Sequence, residues 1–318
     1  MQHYLVFDIG GTFVKYGVLT GEGDILLRGK YPSECFDLSL FMDRLLKTVN
    51  ELRAGWDPAG IAVSMAGILD VPRGFALTGG AVRSITNYPM AEELSRLTGG
   101  LPVTIENDAK AALLAEYWKG NLQNTSNAVA FIIGTGIGGA VLADGRLLRG
   151  SHFFAGEFSY ILREHGSETY VLGDPKGLGV PGLLAMAAER LPRAESVRSG
   201  ENEISQSEPL TGETFFRLVS EGSPEANACL TDYAHAIAVQ LFSIMAVVDP
   251  ERIVIGGGVS VQPALIEAIR NAFAEVAKEY LPEIIRLPEI LPCRFHNDSN
   301  LIGALYAHRS RDQKQFCR

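Results

Sequence analysis

One short acidic segment of the chain could remove a proton from a hydroxyl group. The segment Glu106-Asn107-Asp108 lies where a predicted short strand (102–106) runs into a predicted helix. That helix is alanine-rich and extends from Asn107 to Gly120. Asn107 is a good N-cap residue, and a helix start alone would explain it. Asp108 then falls in the first turn, where the positive end of the helix dipole favours its ionised form. Such a carboxylate is suited to act as a general base.

Three glycine-rich segments could hold the phosphates and nucleoside of a nucleotide. They are Asp8-Ile9-Gly10-Gly11-Thr12, Gly134-Thr135-Gly136-Ile137-Gly138-Gly139 and Gly256-Gly257-Gly258. Glycine lets backbone amides approach an anion closely, although a ligand-free turn would explain each segment alone. The spacing of Gly134, Gly136 and Gly139 resembles a dinucleotide-binding fingerprint. A strand, not a helix, is predicted to follow it, which argues against that fold.

Other polar residues complete the candidate site. Asp8 ends an apolar strand, where a carboxylate can hold hydrated Mg²⁺, and Thr12 and Lys15 add a hydroxyl donor and a positive charge. Glu157 and Tyr160, in Gly156-Glu157-Phe158-Ser159-Tyr160, could hydrogen-bond several hydroxyls of one sugar. An ordinary turn would explain that last segment equally well.

The chain contains an internal repeat. The first copy runs from Phe7 to Gly29 and the second from Phe131 to Gly150, and both end in the sequence LLRG. Each predicts strand, glycine turn, strand, tight turn and strand. We therefore expect two domains of like topology that face each other across a cleft.

The remaining elements alternate between strands and helices. We predict helices after Asp37, over 107–120, 224–248, 263–277 and 301–309, and strands over 60–65, 102–106 and 252–255. The 224–248 helix is apolar on more than one side, which indicates burial. The polar stretch 193–209 predicts a surface loop or a poorly ordered insertion. This alternation predicts α/β sheets covered by helices.

Composition excludes several classes of protein. The chain has 318 residues and a formal net charge of −9 without a basic stretch, which argues against binding nucleic acid or an anionic membrane. We find no secretory signal and no apolar run of bilayer length, so we expect a cytoplasmic protein. Cys35, Cys229, Cys293 and Cys317 lie far apart and predict neither a disulfide framework nor a zinc cluster.

Taken together, these motifs resemble the ROK family (repressors, open reading frames and sugar kinases) over nearly the whole chain. The matching segments are 8–12, 102–109, 133–139, 155–157 and 249–258. The resemblance implies an actin-like ATPase (hexokinase) fold, ATP with Mg²⁺ as phosphoryl donor, and Asp108 as catalytic base. It also implies sugar contacts from Gly67, Asn87, Asn107, Asp108 and Glu157, and commonly a homodimer.

The sequence departs from the family pattern in two places. Tyr160 stands where many relatives carry a histidine that binds sugar and zinc, and the stretch 170–184 lacks the cysteines of their zinc motif. We therefore expect no structural zinc. A second sugar-binding glutamate also has no clear counterpart. A β-glucoside or disaccharide substrate becomes a hypothesis, as in the zinc-free β-glucoside kinases of this family.

The leading hypothesis is a kinase that phosphorylates a sugar hydroxyl, with the C6 hydroxyl as the first candidate. Asp8 is expected to hold Mg²⁺ through water. The domains are expected at 1–118, joined by the last helix at about 299–318, and at 119–298. A non-catalytic sugar-sensing regulator is the alternative, although it would need neither Asp8 nor Asp108. A filament or chaperone ATPase of the same fold is a second alternative. The sugar-site motifs argue against it. The repressors' helix-turn-helix has no room before Asp8.

Overall fold

The computed structural model describes residues 2–165, 168–191 and 210–312, which alternate between strands and helices. The strands are β1 (His3–Ile9), β2 (Phe13–Thr20), β3 (Ile25–Pro32), β4 (Pro58–Met65), β5 (Leu69–Asp70), β6 (Phe75–Ala76), β7 (Val103–Asn107), β8 (Ala128–Ile133), β9 (Ile137–Ala143), β10 (Arg146–Leu147), β11 (Leu162–His165), β12 (Glu168–Val171), β13 (Arg252–Gly256) and β14 (Glu289–Pro292). The helices are α1 (Leu38–Arg53), α2 (Met90–Leu97), α3 (Asp108–Lys119), α4 (Val180–Arg190), α5 (Gly212–Ser220), α6 (Pro224–Val248), α7 (Pro263–Tyr280) and α8 (Ser299–Arg309). The predicted α/β class is confirmed.

The first sheet brings the ends of distant strands to one edge. Its order is β3-β2-β1-β4-β7, with β1 antiparallel to β2 and parallel to β4, and β4 parallel to β7. The register places Asp8 beside Ser64, and Ser64 beside Glu106. Because parallel strands end at the same edge, the chain after β1 and the chain after β7 meet there.

Helices cover both faces of this sheet. Side chains alternate along β1, so that Phe7 packs with α1 on one face while Val6 packs with α8 on the other. Asp37 caps α1 as predicted, because its carboxylate accepts a hydrogen bond from the Leu40 amide. Helix α3 packs on α8, and a Cβ added at Gly303 of α8 would overlap the carbonyl of Ala111 in α3. The sheet and α8 therefore fix the start of α3.

The second sheet repeats the order of the first. Its order is β10-β9-β8-β13-β14, with β9 antiparallel to β10 and β13 parallel to β14. Strands β8, β9 and β10 correspond to β1, β2 and β3, each with a glycine turn after its first strand. The internal repeat predicted from the sequence is confirmed.

Contacts divide the described residues into two compact units. Unit 1 comprises those within Met1–Ala130, Gly139–Glu157 and Cys293–Arg318. Unit 2 comprises those within Phe131–Gly138 and Phe158–Pro292. The division passes through β8 and β9.

Helix α6 is the long helix that the sequence predicts. Ser223 caps its start, with its hydroxyl accepting from the Ala226 amide, and Asp249 ends it in the left-handed region at φ 47°. It is long and apolar enough to cross a membrane, so the expectation that no apolar run reaches that length is wrong. Half of its most apolar stretch is buried in the protein, against α4, α5 and α7. This burial fits a core helix.

Several elements are absent from the sequence prediction. They are the hairpins β5–β6 and β11–β12, the helices α2, α4 and α5, and the edge strand β14. All of these strands and helices except α4 are shorter than ten residues. Such short segments show too little hydrophobic periodicity to predict an element. The stretch 193–209, predicted as a loop, lies outside the described residues.

Candidate active site

Asp8 is buried at the end of β1 and is held by groups from three elements. Its Oδ1 accepts hydrogen bonds from the Ser64 hydroxyl of β4 (3.1 Å) and the Asn300 side-chain amide of α8 (2.9 Å). Its Oδ2 lies 3.5 Å from Lys15 Nζ. Sequence analysis missed Ser64 and Asn300, since nothing local pairs residues so far apart in the chain. Asp8 is thus a fixed carboxylate with one oxygen committed to neutral donors.

The first glycine turn presents its carbonyls to one neighbouring segment. The carbonyl of Gly10 accepts from the Ser33 hydroxyl, that of Gly11 from the Cys35 thiol (3.1 Å) and that of Thr12 from the Ser33 amide (3.0 Å). Gly11 and Thr12 are exposed. With three successive carbonyls committed to residues 33–35, the backbone amides of the exposed residues Gly11 and Thr12 are candidates to bind an anion.

The first turn also explains one of its glycines. The Gly10 amide donates to the Phe13 carbonyl (3.1 Å), so it serves the turn itself. A Cβ on Gly11 would lie 2.6 Å from the Cβ of Ala81. Gly11 is therefore required by close packing, whether or not a ligand binds.

Asp108 begins α3 directly after the N-cap. The Asn107 side chain accepts from the Lys110 amide (3.1 Å) and donates to the Gly67 carbonyl (3.1 Å). Asp108 Oδ1 accepts from the Ala109 amide (2.8 Å). The predicted cap is confirmed, and it fixes the side chain of Asp108 at the edge of the first sheet.

The pKa of Asp108 moves opposite to the direction that the helix dipole alone predicts. Burial raises the pKa to about 6, and the neighbouring Asp8 carboxylate adds to the rise. The Ala109 amide opposes this rise without cancelling it. The cost of removing a carboxylate from water therefore outweighs the dipole and hydrogen-bond contribution. A carboxylate with a pKa near 6 is well matched to general-base chemistry at neutral pH.

Glu157 forms a buried ion pair with a lysine that the sequence analysis did not single out. Lys110 Nζ lies 2.5 Å from Glu157 Oε1, and the two side chains are 4% and 11% exposed. Burial raises the pKa of Glu157, while Lys110 opposes that rise. The helical position of Lys110, three residues after the N-cap, gave no signal that it would be buried.

A second buried ion pair lies beside Asn107. Arg149 donates through Nη1 to Glu106 Oε1 (3.0 Å) and through Nη2 to Glu106 Oε2 (2.6 Å). Glu106 is buried and Arg149 nearly so. Glu106 Oε1 also accepts from the Asn107 amide (3.0 Å). This pair joins the end of β7 to the segment after β10.

These contacts set Asp108 apart from the other carboxylates around it. Asp8, Glu106 and Glu157 each lie within 4.0 Å of a cationic group. Within residues 2–165, 168–191 and 210–312, no ion pair is found for Asp108. It is the carboxylate of this group that remains available to take up a proton.

Gly67 and Asn87 belong to one loop cluster around β5 and β6. Gly67 has φ 115°, and an added Cβ would overlap the Thr78 carbonyl, so glycine is required there. The Asn87 amide donates to the Leu77 carbonyl (3.4 Å) at φ 56°. The structure joins Gly67 to Asn107 through the bond described above.

In unit 2, the two other glycine turns lie together. The Gly134 amide donates to the Gly136 carbonyl (2.9 Å), and its carbonyl accepts from the Val180 amide at the start of α4 (2.8 Å). Gly257, at φ 91°, lies so close to the Ile133 carbonyl that an added Cβ would overlap it. The turns after β8 and β13 and the start of α4 therefore form one surface.

The flanking candidates of unit 2 follow from this arrangement. Thr135 lies in the first of these turns, where a Cβ on Gly179 would come within 2.6 Å of its carbonyl. Gly256 ends β13, and Gly258 begins the short 3₁₀ turn that follows. Tyr160 ends a separate 3₁₀ turn and is 51% exposed.

Comparison with known proteins finds relatives that agree with one another in family and activity. A sequence model of the ROK family matches residues 4–310. The chain is 32% identical over 302 residues to a beta-glucoside kinase of Klebsiella pneumoniae, with 94% of each chain covered. It is 27% identical over 320 residues to a glucokinase of Halalkalibacterium halodurans, covering 94% of this chain and 93% of that one.

Solved structures agree with these sequence matches. A ROK family protein from Streptococcus pneumoniae in complex with sucrose has a TM-score of 0.80 at 28% identity, covering 99% of this chain and 100% of that one. A ROK family glucokinase from Streptomyces griseus in complex with glucose and AMPPNP has a TM-score of 0.82 at 25% identity, covering 97% and 99%. The chain therefore belongs to the ROK family, with its actin-like ATPase fold, and is an ATP-dependent carbohydrate kinase.

Proposed function

We propose that the protein transfers the γ-phosphoryl group of ATP to a hydroxyl of a β-glucoside, with Asp108 as general base. The C6 hydroxyl is the first candidate for the acceptor. The observation that carries this proposal is the environment of Asp108. Its pKa is about 6, Asp8 lies near it, and no ion pair commits it within the described residues. At neutral pH such a group is mostly ionised yet basic enough to take the hydroxyl proton.

The choice of a β-glucoside rests on two independent points. The K. pneumoniae relative named above, with 32% identity over nearly the whole chain, is a beta-glucoside kinase. The chain also carries Tyr160 and a cysteine-free 170–184 stretch where many sugar kinases of the family carry histidine and zinc ligands. A pocket without that histidine and zinc is free to accept a sugar with a substituent on C1.

The residues of unit 1 would act in three ways. Asp108 takes the proton of the acceptor hydroxyl, and Asn107 and Glu157 orient neighbouring hydroxyls. The backbone amides of Gly11 and Thr12 and the charge of Lys15 attract phosphate oxygens. Catalysis would then be mainly positioning and electrostatics, as expected for phosphoryl transfer.

The site also fits Mg²⁺, which protein carboxylates commonly bind through water. Asp8 would hold the hydrated ion, because its carboxylate is fixed by Ser64 and Asn300 and ends at the edge of the sheet. When bound, the ion would neutralise charge on the phosphates. In unit 2, we propose that the turns at 134–136 and 256–258 bind the nucleotide.

The test is ADP release from ATP and Mg²⁺ across glucose, mannose, N-acetylmannosamine, N-acetylglucosamine, fructose, allose, cellobiose and phenyl β-D-glucoside. We expect the highest kcat/KM for the two β-glucosides. Asp108→Asn should lower kcat about 10²–10⁴-fold, the usual contribution of a general base. In the wild type, kcat/KM should fall as the pH drops below about 6, since the protonated base cannot accept a proton.

Asp43→Asn on the exposed side of α1 is the matched control and should leave turnover unchanged. ATP hydrolysis that ignores every sugar would instead indicate an ATPase of another kind. Sugar binding without turnover would favour the sugar-sensing regulator. A pH profile that stays flat through 6 would remove Asp108 from the role of base.

A further inference from the structure

Lys110 is buried at a place where lysine is rarely found. Its side chain is 4% exposed, at the first turn of α3, and its ammonium lies 2.5 Å from Glu157 Oε1. Lysine is almost never fully buried without a partner, because removing the charge from water is costly. The burial of Lys110 is therefore tied to that of its partner, Glu157.

The position of Lys110 relates it to two carboxylates at once. The charged groups that act on Glu157 are Lys110 of α3 and Glu106 at the end of β7. Those that act on Asp108 are Asp8 of β1, Glu157 and Lys110. In each set Lys110 is the cation, and it favours the ionised form of both carboxylates. Without it, Glu157 would lose the cation that offsets its burial and the nearby Glu106, and Asp108 would lose the cation that offsets Asp8 and Glu157.

The two oxygens of Glu157 differ in their contacts. Oε1 is committed to Lys110, whereas the described residues offer no hydrogen bond to Oε2. An ionised carboxylate has no donor and accepts only. Oε2 is therefore suited to accept from a free hydroxyl of the acceptor, and it would reject an anionic or alkylated oxygen, which has no hydrogen to donate, at the same place.

We propose that Lys110 is a positioning residue for the acceptor sugar, which fixes Glu157 by its Oε1 and keeps it charged so that Oε2 receives a sugar hydroxyl. This inference rests on the proposed function. Lys110 does not touch the substrate in this scheme, and it acts through Glu157. Its removal would weaken sugar binding and leave nucleotide binding intact.

The experiment compares Lys110→Met with wild type, using phenyl β-D-glucoside and glucose as acceptors. We expect the KM for the better acceptor to rise at least about tenfold, the KM for ATP to stay within about twofold, and the acidic limb of kcat/KM to move to higher pH. The shift follows because Asp108 and Glu157 both lose the cation that favours ionisation. Lys119→Met, at the other end of the same helix, is the matched control and should behave as wild type.

A second variant keeps the test decisive if Lys110→Met fails to fold. Lys110→Met with Glu157→Gln removes both members of this ion pair, so that neither is left as a buried charge without its partner. Its KM for sugar should equal that of Glu157→Gln alone, because in this proposal Lys110 affects sugar binding only through Glu157, whereas its charge acts on Asp108 as a base. A double-variant KM well above that of Glu157→Gln would overturn the proposal, as would a Lys110→Met enzyme with wild-type KM and pH profile. Wild-type protein without turnover on any sugar would instead refute the proposed function itself.

Discussion

At Asp108 the role that we propose for the side chain and the stability of the fold oppose each other. Its folded-state pKa of about 6 lies above the ordinary value near 3.8, because burial and Asp8 disfavour the charge. A raised carboxyl pKa means that this group favours folding fully only below its unfolded pKa, and that the contribution is lost as the pH rises through about 6. At neutral pH the ionised Asp108 therefore weakens the fold that holds it.

Asp108→Asn should accordingly stabilise the protein while it abolishes most activity. The gain in the free energy of unfolding at pH 7 should be on the order of 1–3 kcal/mol, from a shift of about two pKa units. The gain should shrink towards zero at pH 4, where Asp108 is neutral in the folded state. Urea denaturation at both pH values measures it, with Asp43→Asn as the exposed control. Equal gains at the two pH values would contradict the electrostatic explanation.

At this scale the sequence predicted residue types better than partners. Asp8, Asn107, Asp108 and Glu157 were named as candidate site residues and stay predictions in that role, whereas the Asn107 cap is confirmed. The side chains that orient these carboxylates were missed, because the partners are far apart in sequence. Lys110 lies 47 residues from Glu157, and Asn300 lies 292 residues from Asp8. The dipole argument also missed the burial of Asp108, which only the packed structure reveals.

Among the elements, α3 depends on its packing against α8. Gly303 of α8 approaches the carbonyl of Ala111 so closely that no side chain fits. Alanine is intrinsically better than glycine in a helix by about 1 kcal/mol, so propensity alone predicts that Gly303→Ala stabilises. We expect the clash to win, with a net loss of about 1–3 kcal/mol in the free energy of unfolding, as for other overpacked cores.

Thermal and urea denaturation of Gly303→Ala check this expectation. Gly55→Ala, where an added Cβ meets nothing within 4 Å, is the matched control and should change stability by less than about 0.5 kcal/mol. If Gly303→Ala were as stable as the control, the close helix crossing would be irrelevant to the fold.

The ion pair between Glu106 and Arg149 links the end of β7 to the segment after β10. Arg149→Met leaves Glu106 as a buried charge that has lost its bidentate partner, which typically costs about 3–5 kcal/mol. Arg96→Met breaks the exposed pair with Glu93 and should cost far less, because solvent screens an exposed pair. Urea denaturation compares the two variants. Similar small losses in the free energy of unfolding of both variants would show that the buried pair does not stabilise the fold.

Element prediction succeeded where the pattern was long or repeated. The strands β1–β2–β3 and β8–β9–β10 followed from the duplicated segment, and α6 from its length. The hairpin β11–β12 and helix α5 are short, and no repeat supports them. Helix α4 begins Val180-Pro181-Gly182, which resembles a turn locally, yet Gly179 and Val180 pack onto the turn at 134–136 and allow a helix to start.

For the whole molecule, duplication explains why a glycine turn follows the first strand of each sheet. Both sheets begin with three hairpin-connected strands and add later strands beside the first. The two turns are nonetheless completed by different partners. Residues 33–35 hold the carbonyls of the first, whereas the start of α4 and Gly257 pack on the second. One duplicated scaffold thus carries two glycine turns with different packing partners.

The last prediction concerns the dependence of the protein on metal ions. Structural zinc sites are built mainly from closely spaced cysteines and histidines, whereas the four cysteines here lie at positions 35, 229, 293 and 317, and none falls in 170–184. We expect 1,10-phenanthroline, which binds zinc strongly and Mg²⁺ weakly, to leave both turnover and Tm unchanged. EDTA should stop turnover until Mg²⁺ is restored in excess, since in the proposed function Asp8 holds the ion through water. Loss of Tm in phenanthroline, reversed by zinc, would show instead that scattered ligands assemble a zinc site.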